Sequence, residues 1–272
     1  NEDKYDENEC IHQWDSMTKK DLTIGTLRYY ASIDSPAEYK KFKEEESKKH
    51  IINSLDGSHN DVAKALYAEY GDEFVCASIV RKEWYQFIGH KWEQIEDGVF
   101  LREKISGKFV SKYFDAVRDL YDQLRDCQDK SREALINSKI KQVSKMIANL
   151  KSSTYKNNCM RECAEVFYDS RFCKKLDSDP YLIAFKNGVY DLRLNIFRQG
   201  RPEDFISKSM LIDYINYNED DEVVQDVHTF LEQIFPDKSL RRYFLDISSD
   251  IFVGGNHEKT VIFWTGDGDN GK

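Results

Sequence analysis

Thr260-Val261-Ile262-Phe263-Trp264-Thr265 is apolar and partly β-branched, and it runs directly into Gly266-Asp267-Gly268-Asp269-Asn270-Gly271-Lys272. No other feature restricts the chain so tightly. An apolar run of that kind suits a strand buried on both faces. The seven residues after it satisfy the first seven positions of G-x-x-x-x-G-K-[ST]. In such a loop glycines remove Cβ clashes and allow positive φ, so that backbone N–H groups turn inward around phosphates. The Lys272 ammonium would reach the β- and γ-phosphates, and a hydroxyl at the next position would hold Mg²⁺. The preceding strand gives the motif its weight, because a phosphate loop follows a strand and opens a helix. Without that strand the same residues would be an ordinary Gly/Asp/Asn turn.

A length of 272 residues allows one large domain or two smaller ones. Sixteen Tyr, 16 Phe and 4 Trp are too much aromatic surface for a disordered tail. No apolar run approaches the ~20 residues of a membrane helix, so no membrane association is expected. The six cysteines form no C-x-x-C pair and read as reduced structural thiols. Cys159, Cys163 and Cys173 with His12 or His228 fit no common zinc spacing, and no metal site is assigned to them. With Asn1 at its start and Lys272 inside a motif, the chain reads as a segment of a longer protein.

Local patterns indicate a mixed α/β chain, mainly helical with small β-hairpins. Asp21–Ala31 suggests a short helix with Leu22, Leu27 and Tyr30 as apolar contacts. Ser35-Pro36 opens another helix, which runs into the mixed-charge stretch 40–49. Asn60 can cap a helix placing Val62, Ala63, Leu66, Tyr67 and Tyr70 on one face, with Gly71 at its end. Phe74–Ile79 is a candidate strand. Residues 83–88 and 91–95 flank Gly89-His90 as a hairpin rich in aromatic residues. Alternation makes one hairpin face core, so Trp84, Tyr85, Phe87 and Trp92 read as packing residues before base-stacking ones. Tyr113, Phe114, Val117, Leu120, Tyr121 and Leu124 recur at helical spacing. Helices follow over Ser131–Leu150 and Asn158–Phe172. Asn187-Gly188 signals a hairpin turn between Leu182–Phe185 and Val189–Leu192, with Ile196–Arg198 as a third strand. Asp221–Phe235 is amphipathic, and Glu219, Asp220, Asp221 and Glu222 suit its negatively charged first turn. A further helix holds Leu240, Tyr243, Phe244 and Ile247.

Asn270 before Gly271-Lys272 resembles the G-x-x-x-N-G-K form of superfamily 3 helicases. Three further blocks resemble the poxvirus-type primase-helicases of large DNA viruses. They are Leu176-Asp177-Ser178-Asp179-Pro180-Tyr181-Leu182-Ile183-Ala184-Phe185-Lys186-Asn187-Gly188-Val189-Tyr190-Asp191-Leu192, Gly200-Arg201-Pro202-Glu203-Asp204-Phe205-Ile206-Ser207, and Leu22–Ala31. The resemblance implies an order of primase, linker, helicase-associated domain and hexameric AAA+ motor in one polypeptide. Residues 1–52 would be the tail of the primase-side module, 53–235 the associated domain or collar, and 236–272 the first part of the motor. ATP and Mg²⁺ are the implied cofactors, with Gly266, Asp267, Gly268, Asp269, Asn270, Gly271 and Lys272 as the nucleotide-binding residues and Lys272 as the catalytic one. Walker B and the arginine finger would lie past Lys272, so the segment alone is expected not to hydrolyse ATP. DNA and further copies of the chain are the implied partners. The implied location is intracellular, in the host cytoplasm or at a viral replication site. The rival readings are an unrelated P-loop kinase or NTPase, and a non-catalytic oligomerisation or primase-docking module.

The net charge of −9 argues against a uniformly basic coat but not against a basic face. Residues 130–156 hold seven bases and one acid, Glu133. Lys139, Lys141, Lys145 and Lys151 are the candidate DNA contacts, and Lys141 and Lys145, one turn apart, share a face. A stripe of this kind tracks phosphates with a steep salt dependence; the plainer reading is a solvated helix face.

Overall fold

The computed structural model describes residues 24–254, 261–263 and 265. They divide into two compact units, one of residues up to 86 with 94–170, the other of 87–93 with 171 onward.

In the first unit, helices α1 (Ile24–Asp34) and α2 (Pro36–Asn53) meet at Ser35-Pro36, with Pro36 at the first helical position. Leu27 and Tyr30 are exposed, so the contacts expected of them are not core contacts. In α2 only Ser47 and Ile51 are buried, because charged residues fill half of its positions. A short 3₁₀ turn, Ser54–Asp56, leads to α3 (His59–Tyr70). The cap of α3 is Ser58, not Asn60: its backbone is extended and its hydroxyl accepts the Asp61 N–H. Val62, Ala63, Leu66 and Tyr70 are buried as expected, whereas Tyr67 stays half exposed. Gly71 ends α3 in right-handed helical geometry, so it is not a left-handed cap.

Strands β1 (Phe74–Ser78), β2 (Glu83–Phe87) and β3 (Trp92–Glu96) form a three-stranded sheet in chain order. Cys76 pairs opposite Trp84, and both are buried. Helix α4 (Val99–Lys104) passes through a wider π-type turn, Ile105–Phe109, into α5 (Val110–Arg125). On α5, Val110 and Tyr113 are buried, and Val117 and Leu120 pack on the core. Phe114 and Tyr121 are about half exposed; the apolar pattern is wider than the surface that α5 buries. Asp129 caps α6 (Lys130–Lys151) by accepting the Ser131 N–H. Helix α7 begins at Ser153 and ends at Val166, earlier than the expected Asn158–Phe172, and buries Cys159 and Cys163.

The second unit begins with α8 (Phe172–Lys175) and the antiparallel meander β4 (Leu182–Phe185), β5 (Gly188–Asp191) and β6 (Ile196–Arg198). Phe185 pairs with Gly188, so the turn is Lys186-Asn187 and Gly188 is already in the strand. A Cβ there would lie 2.5 Å from the Arg198 carbonyl oxygen, so the glycine is needed for strand approach. Ala184, Val189 and Ile206 form a small core. The opposite face carries Phe185, Tyr190 and Phe197, which gather around the Tyr214 ring. Helices α9 (Glu222–Ile234) and α10 (Lys238–Ser249) follow, capped by Asp221 and Asp237. Neither helix buries a residue, although Val223, Val227 and Phe230 form the expected stripe. Val261, Ile262 and Phe263 are exposed and lie outside any strand. The strand expected over Thr260–Thr265 is thus not formed at its described residues.

Candidate nucleic-acid interface

The phosphate-loop residues Gly266, Asp267, Gly268, Asp269, Asn270, Gly271 and Lys272 lie outside the described residues. The four candidate lysines belong to the first unit, and α6 separates their surroundings. Ile136, Ile140, Val143 and Leu150 are buried, with Ile147 packed against the core. Two positions before Ile136, Ile140, Val143 and Ile147 stand Ala134, Ser138, Lys141 and Lys145, all exposed. A shift of two residues is about 200° around a helix, so these four form the outer face, continuous with Lys130 at the start. That face holds small residues and lysines and no acid. Among the described residues neither Lys141 nor Lys145 has an ion-pair partner.

Lys139 is elsewhere: it lines a cleft of about 720 Å³ between α2, α5 and α6, floored by Ile51, Leu120 and Val143. Lys151 stands 5.2 Å over the Phe114 ring. The structure thus joins Lys141 to Lys145 and leaves Lys139 and Lys151 on separate flanks.

A second row escaped the reading of the sequence. Asp115, Asp119, Asp122 and Asp126 are spaced i, i+4, i+7, i+11, each two residues after Tyr113, Val117, Leu120 and Leu124. They run along the exposed side of α5 and its end, away from Tyr113, with Asp115 and Asp119 at the rim of the cleft that Lys139 also lines. The signal was in the sequence, at the same spacing as the apolar stripe. The side chains of Asp115, Asp119 and Asp122 are 63%, 51% and 59% exposed. Their pairs with Arg118, Lys48 and Arg125 are solvent-exposed, a class that contributes little to stability. Helices α5 and α6 therefore carry opposite charge on their outer faces.

The aromatic hairpin is packing material. Trp84 is buried in the first unit against Phe167. Trp92 is buried in the second, stacks edge-on against Phe172 and donates its indole N–H to the Pro202 carbonyl. His90, in the turn, is pushed below its ordinary pKa, first by desolvation and then by Lys91. Asp221 accepts the Val223 N–H, as its place at the head of α9 requires. Burial raises the Cys159 thiol to about 12 and the Cys76 thiol to about 11, so both are protonated and unreactive at neutral pH. Among the described residues no group of three or more His, Cys, Asp or Glu is placed to hold a metal ion, and no helix is long and apolar enough to cross a membrane.

The two second-unit blocks singled out in the sequence are explained by polar pins. Arg198 grips Asp204 through two hydrogen bonds of 2.8 and 2.7 Å, and Asp204 also accepts the Arg201 N–H. Asp177 accepts both the Ser207 N–H and hydroxyl. The Asn187 amide pairs in both directions with the Tyr214 backbone.

Comparison with known proteins places these features in a lineage. The family described as D5 N terminal like matches residues 63–236. A provisionally named helicase of Acanthamoeba polyphaga mimivirus is 36% identical over 99% of the chain, which spans 28% of that protein. One from Frog virus 3 is 29% identical over 99% of the chain, which spans 37% of it. A provisionally named primase of African swine fever virus is 24% identical over 94% of the chain, which spans 28% of it.

Proposed function

Because the chain belongs to the D5 N terminal like family, we propose that it is a helicase-associated segment of an ATP-driven replicative primase-helicase of a large DNA virus. Residues 53–235 act as a collar that orders subunits of a homo-hexamer and guides DNA toward the motor. Residues 236–272 open that motor, with Gly266–Lys272 cradling the phosphates of ATP and Lys272 reaching the β- and γ-phosphates; Mg²⁺ is held beyond Lys272. The reading is supported by the helicase and primase names of relatives matched along nearly the whole chain, and by the glycine-rich loop at the end of the sequence.

The observation that carries DNA guidance is the acid-free outer face of α6, where Lys141 and Lys145 stand without ion-pair partners among the described residues. Phosphate contacts from such a face are sequence-independent and weaken as salt rises. Lys139 and Lys151 flank it and make secondary contacts.

ATPase rate with and without single-stranded DNA, measured on a polypeptide continued through the motor, tests this function. DNA-stimulated turnover that Lys272→Ala abolishes is the expected result. Turnover indifferent to DNA would point to an unrelated P-loop NTPase, and absence of turnover in the folded protein would leave a docking or oligomerisation module. Residues 1–272 alone should be inactive.

A further inference from the structure

The outer faces of α5 and α6 match each other in spacing as well as in sign. Along α6, Lys141 and Lys145 are one i, i+4 step apart, about 6 Å along the axis. Along α5 that step occurs twice, as Asp115/Asp119 and Asp122/Asp126. The same interval is close to that between successive phosphates of an extended strand, ~6 Å by the duplex geometry of one phosphate per few ångströms of rise plus backbone winding. An acidic helix with this repeat presents to a lysine row what a nucleic-acid backbone presents.

We infer that the acidic face of α5 in one copy docks on the basic face of α6 in a second copy, occupying the surface assigned above to DNA. This rests on the proposed DNA contact of α6 and names its competitor. The faces lie on different helices of one chain, so the contact is heterologous: each copy offers one face and accepts the other. Such contacts close into rings or run on as filaments, according to the rotation between copies. Groups that must exchange partners are all on the surface. Asp115, Asp119 and Asp122 give up their exposed pairs with Arg118, Lys48 and Arg125. Lys141 and Lys145 have none to give up among the described residues. Glu133 is the one acid on α6, and it lies in the first turn, away from Lys141 and Lys145. The neighbouring helix α7 meets the buried side of α6, where the Tyr155 hydroxyl reaches the Met146 sulfur, and its Glu162 accepts from Asn60 of α3. The contact is electrostatic and therefore weakens with ionic strength.

Light scattering and sedimentation velocity on the 1–272 chain test the inference, at low and high salt, with and without an oligo-dT strand. The chain should self-associate at low salt and do so about tenfold more weakly when the Debye length is cut to a few ångströms. Lys141→Glu with Lys145→Glu, and separately Asp115→Lys with Asp119→Lys and Asp122→Lys, should each abolish self-association. Mixing the two variants should restore it, because one then offers two acidic faces and the other two basic ones. Circular dichroism checks that both variants fold, and the mixture itself shows that each remains competent. A chain that stays monomeric at low salt and high concentration, or variants that associate as well as the parent, would overturn the proposal. Oligo-dT should dissolve the parent assembly. If the mixing result holds but oligo-dT leaves the assembly intact, the pairing between copies stands and the DNA reading of α6 fails instead.

Discussion

The two units reach order by different means. In the first, Trp84, Tyr113, Phe74, Phe109, Leu66 and Leu101 are almost wholly removed from water, and the helices α3, α5, α6 and α7 each contribute a face to one apolar core. In the second, the sheet core is Ala184, Val189 and Ile206 with Leu182 beside it, and its turns are fixed by Arg198–Asp204, Asp177–Ser207 and Asn187–Tyr214. Apolar burial tolerates many sequences of similar volume. A pinned turn does not, because each partner must be one residue type at one place. This accounts for recognisable sequence blocks in the unit with less core.

The largest expected effect lies in the first unit. Trp84 is 1% exposed, and Trp84→Ala should cost about 3–5 kcal/mol, read by urea unfolding followed by circular dichroism. A loss below about 1 kcal/mol would mean that the site collapses on the gap, and the contrast with the second unit would fail. Next comes Asp204→Ala. It leaves the Arg198 guanidinium, 15% exposed, without its carboxylate and frees the Arg201 N–H. A loss of about 3 kcal/mol is expected, the low end for a buried pair because Arg198 keeps some water. Asp204→Asn should recover part of it by retaining an acceptor. Equal losses for both variants would show that charge, not hydrogen-bond geometry, pins the turn.

The buried thiols give the first unit a pH signature. Burial raises Cys159 from 9.0 to about 12, with Glu162 adding to the shift. A raised pKa means that the folded chain keeps a proton which the unfolded chain releases. The stabilisation is therefore complete below about pH 9 and lost as pH climbs toward 12. Denaturant midpoints should fall across that window, and less so for Cys159→Ser at the same pH. At pH 8, iodoacetamide should modify exposed Cys173 well before Cys159 or Cys163.

Much of this contrast could be read before folding, and what could not has a physical cause. Helices and hairpins follow local periods, so α5, α6, the 83–96 hairpin and the β4–β6 meander lie close to where spacing puts them. Periodicity defines an apolar arc but not how much of it a neighbour covers; hence Tyr113 is buried and Phe114 is not. Caps depend on the backbone ahead of the helix, and for α3 the geometry selects Ser58 over Asn60. Lys141 and Lys145 were legible because they lie one turn apart on a single helix. The acidic row of α5 was equally periodic, and its meaning needed the burial of Tyr113, Val117 and Leu120 on the other side. Arg198 ends β6 and Asp204 lies in the turn Pro202–Asp204, so they share no element and meet only when the chain turns after β6.

The smallest expected effect separates an open face from a hidden one. Phe230 is 58% exposed, and Val223 and Val227 on the same stripe are 69% and 51% exposed. Exposed aromatic surface gains little on folding, so Phe230→Ser should change the stability of the 1–272 chain by no more than about 0.5 kcal/mol. The residue just after α9 gives the control: Phe235 stacks on Phe244 of α10 at 4.7 Å and is 7% exposed. Phe235→Ser should cost several times more, since it uncovers the contact that joins the two helices. If Phe230→Ser proves as costly as Phe235→Ser, the stripe is covered in solution. Dilution then identifies the cover: a loss that shrinks as the chain is diluted places it between copies, and one indifferent to concentration places it within a single chain. In the first case α9 would bury its apolar face as α5 does, but against another copy, and the contrast between the units would become one between cores closed within a chain and between chains.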